Sequence, residues 1–181
     1  NNLIIVGAMA NNFFIYKNYK VGKSLIEENT KKKIKKIYEK ANKNKCKILI
    51  PEDCMVGSSL DSYGIKKDLN AIEDNDIILD IGPKTIISIK NIIDHSNTIV
   101  WHGPAGYFEN ENFMIGTMSI AENISKNTVK KSLISILGGG DTLAAINKSK
   151  NKLSFTHLST AGGAFLEYLE GKDLPGLSVL K

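Results

Sequence analysis

Ile134-Ser135-Ile136-Leu137-Gly138-Gly139-Gly140-Asp141-Thr142-Leu143-Ala144-Ala145 decides how the rest of the chain is read. Three of the first four residues are apolar and two are β-branched, as a buried strand requires. Three glycines follow, then an acid and a hydroxyl, then a helical pattern. Without a Cβ, glycine backbone can approach a ligand within hydrogen-bonding distance. The first turn of a helix offers unpaired N–H groups and the positive end of its dipole. Together these make a phosphate site. Asp141 would repel a phosphate unless a cation stood between them, and one carboxylate plus phosphate oxygens is a usual way to hold Mg²⁺. The stretch therefore points to a Mg–nucleotide site.

Two better-known phosphate motifs are not met. A G-x-G-x-x-G fingerprint fails because Leu143 stands where its third glycine belongs. Gly22-Lys23-Ser24 ends like a P-loop, but Lys17 occupies the position of its first glycine.

Composition sets the outer limits. A chain of 181 residues suits one domain with a real core. Hydrophobic residues at 42% and charged residues at 24% are ordinary for a globular protein. No apolar run approaches the ~20 residues of a membrane span, so no membrane partner is expected. Asn1-Asn2-Leu3-Ile4-Ile5-Val6-Gly7 lacks the charged start and long apolar run of a signal peptide, and reads as a strand entered without preamble. The domain is accordingly expected to be incomplete at its N-terminal edge. Cys46 and Cys54 have no metal-type spacing, so reduced thiols and a cytoplasmic location are expected. The net charge of +5 comes largely from Lys31-Lys32-Lys33, Lys35, Lys36, Lys40, Lys43 and Lys45. They share one helical stretch whose single aromatic, Tyr38, falls on its apolar stripe. A solvated helix face explains them better than a nucleic-acid surface.

Taken in order, the chain alternates. Leu3–Val6 reads as a strand and Met9–Tyr16 as a helix. Ile34, Ile37, Tyr38 and Ala41 place one apolar stripe on a helix capped near Asn29 or Thr30. Lys47–Ile50 is a strand, Glu52–Met55 an extension of it, and residues 57–75 an irregular excursion. Ile77–Ile81 is a strand before Gly82-Pro83, with proline at the first helical position. Thr98–Trp101 runs into His102-Gly103-Pro104-Ala105-Gly106. A helix carries Phe113, Thr117, Ile120, Ala121 and Ile124, and then comes the glycine-tipped strand quoted first. Ser154–Leu158 is a last strand, before Gly162-Gly163 and a helix over 164–169. Alternation of this kind predicts an α/β fold: a doubly wound, mostly parallel six-stranded sheet, Rossmann-like and three-layered. Ligands sit beyond the carboxyl ends of such strands. Five glycine-bearing strand ends are therefore expected along one edge.

These residues, in this order, resemble the C-terminal nucleotide-binding domain of phosphoglycerate kinases. The likeness is carried by Gly7-Ala8-Met9-Ala10, Gly22-Lys23-Ser24-Leu25, Leu79-Asp80-Ile81-Gly82-Pro83, Trp101 through Glu109, Gly138 through Thr142, Ser159 through Glu167, and Leu174-Pro175-Gly176. It implies a phosphotransferase with a carboxyl group as acceptor, working between ATP or ADP and 3-phosphoglycerate with Mg²⁺. By the resemblance, Ala8, Leu25, Leu79 and Tyr107 line an adenine slot, Pro104 and Gly106 shape its wall, and Glu109 holds the ribose. Gly139, Gly140 and Thr142 meet the phosphates with His102 beside them, and Asp141 reaches Mg²⁺. Gly162 and Gly163 face the phosphoryl group in flight.

Departures accompany the likeness. His102 stands where the family usually has asparagine, which would make the phosphate contact pH-dependent. Ala161 replaces the first of three glycines, and Ile78 sits where some relatives have glycine. The arginine-bearing triose domain of the family has no counterpart here, nor does the glycine- and lysine-bearing segment that precedes this region. The expectation is a monomeric chain that binds Mg–ADP weakly and turns over nothing alone. The alternatives are a non-catalytic nucleotide- or phosphate-binding α/β module and, behind it, a basic nucleic-acid-associated domain.

Overall fold

Hydrogen bonding divides the strands of this protein into three sheets. The structure is a computed structural model and describes residues 1–179. Strand β1 (Asn2–Ile4) leads through α1 (Ala8–Tyr16) and α2 (Lys31–Lys43) to β2 (Lys47–Leu49). β1 and β2 pair in parallel, with Leu3 opposite Ile48. Next come β3 (Asp53–Gly57), β4 (Ile65–Asp68) and β5 (Ile77–Ile81), an antiparallel sheet of order β4-β3-β5. Helix α3 (Pro83–Asp94), β6 (Thr98–His102), α4 (Ile115–Lys131), β7 (Ile134–Gly138), α5 (Gly140–Asn147) and β8 (His157–Ser159) follow. β6, β7 and β8 are parallel neighbours in that order. Short helices α6 (Gly163–Leu169) and α7 (Pro175–Ser178) end the described chain.

The α/β class and the parallel glycine-tipped strands are as the sequence implied. The single six-stranded sheet is not. Among the described residues the parallel strands lie in two pieces, β1-β2 and β6-β7-β8. Ile77–Ile81, expected as a third parallel strand, runs antiparallel to β3. The excursion over 57–75 contains β4, whose Lys66 and Lys67 interrupt any apolar alternation.

Two buried clusters hold these pieces together. One gathers Ile81, Ile89, Ile93, Trp101, Ile120, Ile124 and Leu137, and Ile4, Val6 and Leu49 pack on it. The second joins Phe13, Phe14, Ile34, Cys54 and Val56 under α1 and α2. The first cluster thus receives side chains from both parallel sheets. Yet β1 bonds only to β2, and β6 only to β7. Leu3 and Val100 remain exposed, so both strands present an unpaired edge.

Two buried aspartates start the helices behind the sheets. The Asp53 carboxylate accepts the amides of Lys84 (3.0 Å) and Thr85 (2.9 Å) in the first turn of α3. Asp80 accepts the amide of Gly116, at 2.8 Å, in the first turn of α4. Each satisfies orphan donors and sets a carboxyl group at a positive helix end. The Asp53 carboxylate also fills the space a side chain at Gly82 would need, 2.3 Å from that Cβ position. Gly82 is therefore a packing glycine, not part of an open ligand edge.

Candidate functional site

The carboxyl ends of β6, β7 and β8 lie level, with His102 opposite Gly138 and Gly138 opposite Ser159. The three loops that leave them carry most of the residues singled out in the sequence. Gly103 to Glu109 follow β6, Gly139 to Thr142 follow β7, and Gly162-Gly163 follow β8. Asp141, Glu109 and Gly162 accordingly lie on chain segments that leave one sheet edge.

At the β7 end, Gly139 has φ +98 and ψ 137, a backbone that a side chain strains. Its carbonyl accepts from Leu143 N at 3.1 Å, the first bond of α5. The amides of Gly140, Asp141 and Thr142 precede that bond and have no intrahelical acceptor. Nothing stands within 4 Å of a Cβ built at Gly140, Gly162 or Gly163. Asp141 is exposed and, among the described residues, forms no ion pair. The Gly139 amide differs, since it donates to Ser159 O at 3.2 Å and joins β7 to β8.

Thr142, placed with the phosphates by the resemblance, makes two hydrogen bonds within the chain. It is fully buried. Its hydroxyl donates to Gly138 O (2.8 Å) and accepts from Gly103 N (2.8 Å). Both bonds tie the β6 loop to the first turn of α5. Donating to a phosphate would mean giving up the bond to Gly138 O.

On the other flank, a bulge lies beside Leu79. β3 and β5 slip register between Met55 and Val56, leaving Leu79 without a partner in the ladder. The Leu79 carbonyl accepts from Tyr107 N at 2.6 Å, which draws the β6 loop onto β5. Gly106 is enclosed by Phe113 O and the Asp80 carboxylate, 2.3 Å and 2.4 Å from its Cβ position. Gly7 meets Pro104 O at 3.0 Å from its own Cβ position, so the ends of β1 and β6 come together. Ala8, at the start of α1, is exposed beside it. Asn11 Nδ2 donates to Leu25 O at 2.9 Å and brings exposed Leu25 to α1. Ser24, in the segment that ends like a P-loop, accepts from Ile78 N at 2.8 Å and donates to Val21 O. That segment secures a loop to β5.

Tyr107, Glu109, Asn110, Glu111, Asn112 and Asp61 line an open hollow of about 490 Å³. Lys148 holds the backbone of the same loop. Its ammonium donates to Phe108 O (2.9 Å) and Glu109 O (3.4 Å) and lies 5.3 Å from the Phe108 ring centroid. Its lone position after α5 carried no motif. Another hollow, of about 480 Å³, lies between α2 and β4 and includes the Lys84–Asp68 ion pair.

Among the described residues no three His, Cys, Asp or Glu side chains gather as a metal cluster. A cation here would take Asp141 and draw its other ligands from phosphate oxygens and water, as Mg²⁺ commonly does. Among the described residues, too, no helix is long and apolar enough to cross a membrane.

The sequence model of the phosphoglycerate kinase family matches residues 1–172. The chain belongs to the phosphoglycerate kinase family. A phosphoglycerate kinase of Wolbachia pipientis from Culex pipiens is 44% identical over 177 residues, covering 97% of this chain and 45% of that protein. One from Bartonella tribocorum is 42% identical, covering 99% of this chain and 46% of that protein. The solved phosphoglycerate kinase of Coxiella burnetii superposes with a TM-score of 0.89 at 39% identity, over 99% of this chain and 46% of its own. That of Pyrococcus horikoshii gives 0.74 at 29% identity, over 98% and 44%. The chain thus spans less than half the length of the phosphoglycerate kinases it matches.

Proposed function

We propose that the chain is the Mg–ADP- and Mg–ATP-binding part of a phosphoglycerate kinase. The longer protein transfers a phosphoryl group reversibly between ATP and the carboxyl group of 3-phosphoglycerate, as a cytoplasmic step of glycolysis. One observation carries this reading: among the described residues, an unpaired Asp141 beside the acceptor-free amides that open α5, at the sheet edge that the segments of Glu109 and Gly162 also leave. Phosphoryl transfer needs positioning and charge stabilisation more than covalent chemistry. Gly140 and its neighbours supply the amides and Asp141 a carboxylate for Mg²⁺. Leu79 and Tyr107, pinned together, offer an apolar wall for the base, and Glu109 a carboxylate for the ribose. Bound Mg²⁺ would neutralise phosphate charge. Gly162 and Gly163 are assigned to the transferred group on family resemblance, supported by the open space beside them.

The same reading covers the domain boundary. We take residues 1–181 as a nucleotide-binding domain incomplete at its N-terminal edge. The unpaired edges of β1 and β6 support this, because their strands share a core and their ends meet at Gly7 and Pro104. A further parallel strand would join the two sheets. The triose partner would come from outside the chain, so the chain alone is monomeric and inactive.

Isothermal titration with ADP, with and without Mg²⁺, tests this. Binding should strengthen with Mg²⁺, and Asp141→Asn should abolish the difference. A coupled assay with both substrates should show no turnover. Equal binding with and without Mg²⁺, or steady turnover by the chain alone, defeats the reading. Retention on DNA at low salt would favour the nucleic-acid alternative, against which Lys33–Glu27 and Lys35–Glu39 pairing on the lysine-rich helix already counts.

A further inference from the structure

Two aromatic rings lie across the glycines that lead into α5. The imidazole of His102, at the end of β6, and the ring of Phe165, in α6, stack with centroids 6.3 Å apart and planes 15° apart. A Cβ at Gly138 would stand 2.7 Å from Phe165 Cδ1, and one at Gly139 would stand 3.0 Å from His102 Cε1. Each ring therefore occupies the space its glycine leaves free. His102 lays the face of its ring over Gly139 at Cε1, with Nδ1 and Nε2 both 3.3 Å from that Cβ position, so its in-plane N–H groups are not spent on the glycine. Among the described residues no hydrogen bond or ion pair engages either nitrogen. An imidazole always has at least one N–H to donate. Here that donor stands at the N-terminus of the helix that opens with Gly140 and Asp141.

We propose that Phe165 is a positioning residue for the phosphate end of the nucleotide. It holds the His102 ring against the Gly139 backbone, so that a ring N–H is available to a phosphate oxygen beside the α5 amides. This rests on the nucleotide reading given above. The stack also couples α6 to the β6 end, so Phe165 acts on the nucleotide through His102 and not by touching it.

The test is a double-mutant cycle on Mg–ADP affinity by isothermal titration. Phe165→Leu keeps an apolar side chain and removes the flat ring. It should weaken binding about three- to tenfold, the range expected for loss of an aromatic pair. Phe165→Tyr should restore affinity. In a His102→Ala background Phe165→Leu should change affinity less than about twofold, because coupled residues are non-additive. Proton NMR of the ligand-free chain supplies a readout that general loosening would not move. The His102 Cε1–H signal should carry a ring-current shift that Phe165→Leu removes and Phe165→Tyr keeps. Equal losses in both backgrounds, or a His102 signal indifferent to Phe165→Leu, overturn the proposal while nucleotide binding stands. A chain that takes up no Mg–ADP overturns the nucleotide reading and this proposal with it.

Discussion

The Asp80 carboxylate accepts the Gly116 amide at 2.8 Å from a position only 2% exposed. It also accepts the amide of Ile81 at 2.8 Å. Burial pushes its pKa up to about 7, against the opposing pull of those two amides. The folded pKa is thus above the unfolded value of 3.8. Protonated Asp80 favours the fold, fully below about pH 4, and this contribution is lost as pH rises through about 7. The loss is at most about 4 kcal/mol. Urea midpoints should fall from pH 5 to pH 8, and Asp80→Asn should flatten that slope. Because the asparagine amide would face one backbone N–H, the variant should also be about 1–3 kcal/mol less stable at pH 5. An unchanged slope would show that Asp80 stays ionised.

Thr142 joins two loops through one hydroxyl. Thr142→Val should leave the Gly103 amide without its acceptor and lower stability by about 1–3 kcal/mol. Thr142→Ser should recover most of it. Thermal unfolding of the three proteins reads this directly. A stable Thr142→Val protein that nonetheless loses nucleotide affinity would mean the hydroxyl serves the phosphates instead.

Lys148 braces the Glu109 loop from outside. Lys148→Met retains the aliphatic stem over Phe108 and removes the ammonium. Stability should change by under about 0.5–1 kcal/mol, as for other exposed charges. Mg–ADP affinity should weaken, since Glu109, proposed above for the ribose, sits on the loop it holds. Unaltered affinity would confine Lys148 to the loop itself.

The amides on the open edges of β1 and β6 should exchange with solvent faster than those of β7. Adding the ~30 residues of a strand–helix unit upstream, taken from the Wolbachia relative, should protect them and raise the melting temperature. Hydrogen exchange by NMR at Ile4 and Val100, whose amides face away from β2 and β7, decides the matter. No added protection would leave the two sheets as separate pieces.

The strand–glycine–helix alternation was legible wherever apolar runs met glycine, as at Leu137-Gly138 and Trp101-His102-Gly103. The antiparallel sheet was not. β4 is Ile65-Lys66-Lys67-Asp68, and three of its residues are charged, so no alternation marks it. It is held instead by β3 and by Lys67 paired to Glu73 and Asp76. The direction of β5 was hidden for a similar reason, since a buried apolar run reads alike in parallel and antiparallel pairing. At the site, residue types were visible but their engagements were not. A hydroxyl one residue after Asp141 looks the same in sequence whether it faces a ligand or, like Thr142, is buried between two backbone groups. Lys148 and Phe165 were invisible because their roles depend on what lies across the loop.

Trp101 is the chain's single tryptophan. Its indole is buried in the core and donates to Gly103 O at 2.6 Å, one residue beyond His102. Its light emission therefore comes from one place only, the root of the loop that carries Pro104 to Glu109. Any ligand that shifts that loop should change the colour or intensity of the fluorescence, with no label added.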